Sequence, residues 1–164
     1  MSSAKVLVIG SPAGLQGRFV GAISQVKVRS SARTTSGEDF VPMDFGRIKI
    51  DDKLDLQIFG VERDRVGVIA DAISPGIVGA LLLAEPADTS DPHFSSQALD
   101  ELSEKGIFTV IARTSDDVDS NSLAAALSLN GNEVVDCVNL DRDSAKNALV
   151  KLFEAVLEAT ESAA

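Results

Sequence analysis

The sequence predicts a three-layer α/β fold: a six-stranded, mostly parallel sheet with one antiparallel edge strand from a hairpin, covered by helices. Three observations predict it. Short, wholly apolar runs such as Val6–Ile9 and Ile77–Ala84 read as strands buried on both faces. Segments with apolar residues at helical spacing separate those runs. One stretch breaks the alternation: "FGRIKIDDKLDLQIFG", Phe45 to Gly60. There Ile48 and Ile50 alternate with Arg47 and Lys49, and Leu54, Leu56 and Ile58 alternate with Asp55 and Gln57. Asp51-Asp52 makes the turn, so the second and third strands form a hairpin.

In chain order, Lys5–Gly10 is the first strand, and Pro12 and Gly14 keep the next loop irregular. Arg18–Val26 is a helix with Phe19, Val20, Ile23 and Val26 on one side. Lys27–Asp44, rich in Ser, Thr and Gly, reads as a long surface loop, a kind of connector that is often functional. The hairpin follows. Val66–Ser74 is a short helix closed by Pro75, and Ile77–Ala84 is a buried strand. Ser95–Lys105 is a helix stopped by Gly106, and Ile107–Ala112 is the next strand. Ser120–Leu129 is a helix ended by Asn130-Gly131, and Glu133–Val138 is the last strand. Ser144–Ala159 closes the chain as a long amphipathic helix with Asp143 as its expected cap. Residues 1–164 make one domain.

Composition removes several function classes. With 25 acidic and 15 basic residues the formal charge is −10, which is wrong for a nucleic-acid surface and reads as solubility. Trp and Tyr are absent, which leaves a flavin or single-stranded nucleic-acid site without aromatic platforms. A single cysteine excludes an internal disulfide and suits a reducing compartment. No signal peptide and no membrane-length apolar run is present, so a cytoplasmic location is expected.

"VLVIGSPAGLQGRFVGAI", Val6 to Ile23, has the layout of a phosphate-binding loop between strand and helix. Together with "FVGAIS" (Phe19–Ser24), "MDFGRI" (Met43–Ile48), "FG…DR" (Phe59–Arg65), "GALLLAE" (Gly79–Glu85), and "VVDC" followed by "DRDSAKNALVKL", the chain resembles bacterial Ras-like small GTPases of the gliding-motility and conservon type. The resemblance runs from Lys5 to about Leu157 and implies a Ras-like fold, which carries such a hairpin. In that family, guanine nucleotide with magnesium is held by a Gly-Lys-Thr at the end of the first loop. Aligned through "FVGAIS", those positions are Leu15, Gln16 and Gly17. A degenerate phosphate loop is therefore expected over Gly10, Ser11, Pro12, Ala13, Gly14, Leu15, Gln16, Gly17 and Arg18, lacking the phosphate-facing cation and the metal-binding hydroxyl.

The other family motifs fail with it. Phe40 stands near the position of the magnesium-sensing Thr, and Thr34 and Thr35 lie upstream. "GVERDR" replaces the Gly-Thr-Pro-Gly-Gln that senses phosphate and orients water, with Glu62 and Asp64 adding negative charge. "RTSD" keeps only Asp116 of the base-reading Asn-Lys-x-Asp, with Arg113 in place of Asn. The expectation is a pseudo-GTPase that needs no cofactor, acting through protein contacts, with a Roadblock-type partner implied by the resemblance. The partner surface is expected at Phe40, Asp44, Glu62, Arg63 and Arg65 within the switch regions Ser30–Asp44 and Gly60–Val68. Two alternatives stand beside it: an active GTP–magnesium switch with non-standard loops, or a binder of another small anion near Arg18.

The remaining candidates read blandly. His93 has no second histidine or metal cluster, Cys137 packs as a small hydrophobe, and Ser11 and Ser24 lack a histidine for a triad. Asp51-Asp52 and Asp116-Asp117 read as turns, and "ADTSDPHF" (Ala87–Phe94) as a polar loop open to a partner.

Overall fold

A computed structural model describes residues 2–10, 14–24, 26–33, 40–67, 69, 76–85, 88, 91–117, 119–127, 134–138 and 140–163. In chain order the described elements are β1 (Ser2–Gly10), α1 (Leu15–Ile23), β2 (Val26–Arg33), β3 (Phe40–Asp51) and β4 (Leu54–Glu62). A single turn of 3-10 helix, Arg63–Arg65, leads on to β5 (Ile77–Ala84), α2 (His93–Glu104) and β6 (Thr109–Arg113). The chain ends with α3 (Ser120–Leu127), β7 (Val134–Asp136) and α4 (Arg142–Ala163). The strands form one sheet in the order β2-β3-β4-β1-β5-β6-β7. β1 is parallel to β4 and β5, and β5, β6 and β7 continue in parallel. β3 is antiparallel to both β2 and β4. The mostly parallel α/β sheet with its hairpin is the predicted architecture.

The sheet holds the six expected strands and a seventh. Part of the stretch read as a loop, Lys27–Asp44, is strand: β2 pairs with β3 from Val26 opposite Arg47 to Arg33 opposite Phe40. Strand β2 is therefore the edge and β3 lies inside it. The polar composition misled because a backbone ladder to a neighbour, not apolar side chains, defines this strand. Helix α1 starts at Leu15, a turn before Arg18, and α4 runs to Ala163. The cap of α4 is Asp141 rather than Asp143: its carboxylate accepts the Ser144 N–H at 2.8 Å, and the Ser144 hydroxyl accepts the Asp141 N–H at 3.1 Å. That bond from Ser144 lowers the Asp141 pKa. Asp119 caps α3 in the same way, through the Ser122 N–H at 2.6 Å. Most of the helix expected over Val66–Ser74 lies outside the described residues.

The two-residue period of the central strands divides the core. Val6, Val8, Leu56, Ile58, Leu81, Leu83 and Val110 face α1 and α4, where Phe19, Val20, Ala148, Leu149 and Leu152 cover them. Leu7, Ile9, Val61, Leu82 and Ile111 face α2 and α3, where Leu99, Leu102 and Leu123 close the other layer. Across the hairpin Phe45 and Phe59 meet edge to face with ring centroids 5.2 Å apart. Gly46 lets α1 lie close on β3, because a Cβ there would stand 1.8 Å from Ser24 Oγ and 2.7 Å from Val20 Cγ1.

Candidate functional site

In open α/β sheets the ligand crevice lies beyond the carboxyl ends of the strands. Gly10 ends β1 and α1 begins at Leu15; Ser11, Pro12 and Ala13 between them lie outside the described residues. Gly14 adopts a left-handed conformation, φ 85° and ψ 21°, that costs glycine nothing. Its carbonyl accepts the N–H groups of Gly17 and Arg18 at 3.1 and 3.3 Å. Leu15 is buried in the core cluster with Phe19 and Val20, so its side chain serves packing rather than the loop. Arg18 is exposed.

Gln16 is 6% exposed. Its side chain turns back on the end of β1: a Cβ built on Gly10 would lie 2.2 Å from Gln16 Oε1 and 2.7 Å from its backbone N. Among the described residues, Gln16 Oε1 finds no hydrogen-bond donor. Asp44 comes across from β3 and is also 6% exposed. A Cβ on Gly17 would stand 3.0 Å from Asp44 Oδ2. A neutral amide and a carboxylate thus stand together at the start of α1.

Two of the five residues expected on the partner surface make contacts within the fold. Asp44 is buried against Gly17. Arg63 is held by the fold: its Nη1 donates to Asp88 Oδ1 at 3.0 Å and to Ser95 Oγ at 3.2 Å. Asp88 and Ser95 are each 1% exposed, and Asp88 also accepts the Ser95 hydroxyl at 2.7 Å and the Glu85 N–H at 2.8 Å. Within "ADTSDPHF", then, Asp88 belongs to the interior. Glu62 and Arg65 remain at the surface, half-buried and exposed, at the carboxyl end of β4 and the turn after it. Phe40 opens β3, while Thr34 and Thr35 lie outside the described residues.

At the base-reading corner, Arg113 ends β6 and lies opposite Asp136 of β7. Arg113 Nε donates to Asp136 Oδ1 at 2.7 Å, and Nη1 donates to the Ser115 carbonyl at 3.3 Å. The Asp136 hydrogen bond raises the Arg113 pKa, so the guanidinium is charged throughout the working range. Asp116 is exposed, 3.9 Å from Nη1. Asp136 was not singled out from the sequence, and the signal for it was its place ending the strand beside Arg113. His93 is exposed at the start of α2. Cys137 is fully buried, which pushes its thiol pKa up. Among the described residues no cluster of His, Cys, Asp or Glu could hold a metal ion, and no helix is long and apolar enough to cross a membrane.

No family model and no curated protein matches the chain. Solved structures do. The cytosolic domain of the T. maritima FeoB iron transporter in a GDP form superposes at TM-score 0.63 and 17% identity, over 94% of this chain and 64% of that one. The G domain of the same transporter gives TM-score 0.57 and 18% identity, over 96% and 98% of the two chains. An Aquifex aeolicus Era variant bound to GDP and AlF4− gives TM-score 0.57 and 9% identity, over 92% and 56%. The chain therefore spans about two-thirds of the FeoB cytosolic domain and nearly all of the isolated G domain. At these identities the likeness shows the fold, that of a GTPase G domain.

Proposed function

We propose that this chain is a Ras-like pseudo-GTPase of the gliding-motility or conservon kind, a protein-interaction module in a polarity- or motility-type signalling system. The observation that carries this reading is the buried Asp44 carboxylate facing Gly17. A magnesium–nucleotide complex asks for a lysine on the phosphates and a hydroxyl on the metal. Gln16 and Gly17 supply neither, and Arg113 is turned to Asp136 rather than left open to a base. A carboxylate there disfavours an anion at the start of α1: two like charges 4 Å apart repel by about 4 kcal/mol at an effective dielectric of 20. The residues present do not fit GTP with magnesium. Titration calorimetry with GTP or GDP and magnesium is expected to give no binding tighter than about 1 mM, roughly −4 kcal/mol. Stoichiometric guanine nucleotide carried through purification overturns the reading.

The resemblance favours a Roadblock-type domain as partner, meeting Glu62, Arg65 and the start of β3 at Phe40. Arg65 is exposed and can be reversed without breaking the interior, unlike Arg63. Arg65→Glu is expected to weaken binding of a purified Roadblock-type domain by about tenfold, roughly 1.4 kcal/mol. An unchanged affinity moves the contact elsewhere on the molecule.

A further inference from the structure

Helix α4 buries Ala145, Ala148, Leu149 and Leu152 in the core, yet Val150 is 46% exposed and Leu157 62% exposed. Val150, Phe153 and Leu157 follow one another at three and four residues, the spacing of an apolar seam between two helices. The seam runs beside an open groove of about 280 Å³ lined by Ile23, Ile48, Leu56, Leu149, Val150 and Phe153, with Lys146 alongside. Helix α1 ends at Ile23, in the wall of this groove.

The charges of α4 are divided along its length. Arg142, Lys146 and Lys151 outweigh Asp143 in its first half, and Glu154, Glu158 and Glu161 fall in its second. An antiparallel copy of the same helix complements this division. The basic half of each copy then faces the acidic half of the other, and both seams are covered. In the monomer the Lys151–Glu154 pair, 3.7 Å apart, is an exposed contact of little weight.

We infer that this face is a self-association surface: two copies pair through α4, antiparallel about a two-fold axis, with Val150, Phe153 and Leu157 at the centre. The groove contains too few polar groups to orient a small polar ligand. The acidic second half of the helix opposes an anionic membrane surface. This inference does not rest on the fate of nucleotide, and it stands or falls separately.

Sedimentation equilibrium tests it. The full chain is expected to form a dimer with Kd below about 100 µM. Two variants, Lys146→Glu with Lys151→Glu and, separately, Glu154→Lys with Glu158→Lys, are each expected to sediment as monomers, weakened at least about tenfold by like charges across the seam. Unchanged far-UV circular dichroism confirms that the helix survives in both variants. Mixed in equal amounts, the two variants are expected to restore the dimer, because each basic half again meets an acidic one. A monomeric wild type at about 1 mM overturns the proposal. So do variants that remain dimeric alone, or monomeric variants that fail to recombine.

Discussion

Asp88→Ala is expected to lower the unfolding free energy by about 3–5 kcal/mol, the cost of leaving one partner of a buried ion pair uncompensated. The carboxylate is 1% exposed and gathers three donors from three separate segments: Arg63 after β4, the Glu85 N–H after β5, and the Ser95 hydroxyl in the first turn of α2. Removing it takes the acceptor from a buried hydroxyl and a backbone N–H, and the carboxylate from a guanidinium whose side chain is 19% exposed. Because part of the guanidinium reaches water, the lower end of the range is the better expectation. Asp88→Asn keeps the shape and one acceptor oxygen but removes the charge, and should cost less, about 1–3 kcal/mol. Urea unfolding checks both through a fall in midpoint at constant slope. An Asp88→Ala midpoint within error of wild type would show that the three donors find other partners.

The second large effect is a gain. Gln16→Lys with Gly17→Thr restores the cation and the hydroxyl that the family's first loop carries, while Leu15 is left in place because its side chain is core. Alone, this pair is expected to give no measurable GDP binding. A Thr Cβ at position 17 meets Asp44 Oδ2 at 3.0 Å, so the buried carboxylate competes for the new hydroxyl. Adding Asp44→Ala removes that competitor. Each charge-assisted hydrogen bond to phosphate is worth about 1.5–3 kcal/mol, so the triple variant should bind diphosphates weakly where the double does not. GDP and ADP should compete about equally, since Arg113 remains tied to Asp136. Turnover should stay absent, because "GVERDR" still lacks a glutamine to orient water. Equal binding by the double and triple variants would clear Asp44 of blocking the site.

The parts of the fold legible in the sequence were those written in side-chain pattern. Ile77–Ala84 matched residue for residue because a strand buried on both faces has no polar position to blur its ends. The hairpin was legible because Ile48 and Leu56 alternate with charges, and α4 because its apolar stripe repeats over several turns. Strand β2 was obscured because its ladder to β3 is a backbone property, and only Val26 and Val28 alternating with Lys27 and Arg29 hint at it. At the site, the missing lysine and hydroxyl could be read position by position. The burial of Asp44 against Gly17, and the Arg63–Asp88–Ser95 cluster, could not. Those contacts join segments far apart in the chain, and a carboxylate in a loop-like stretch gives no local sign that it points inward.

The order β2-β3-β4-β1-β5-β6-β7 also bears on how the chain is assembled in time. Strands β2, β3 and β4 form a meander in which every neighbour in space is the next strand in sequence, so its ladders close short loops. The seam between β1 and β4 is different: it pairs Ser2 with Leu54 and Gly10 with Glu62, each across the whole intervening chain. Closing a longer loop costs more chain entropy, and sheets rich in distant pairings form more slowly. The meander can thus close early, while the seam waits for β1 to be captured. Gly10, with Gln16 folded over it, lies at the end of that seam. The contact of Gln16 with Gly10 is therefore completed only when the two halves of the sheet are joined.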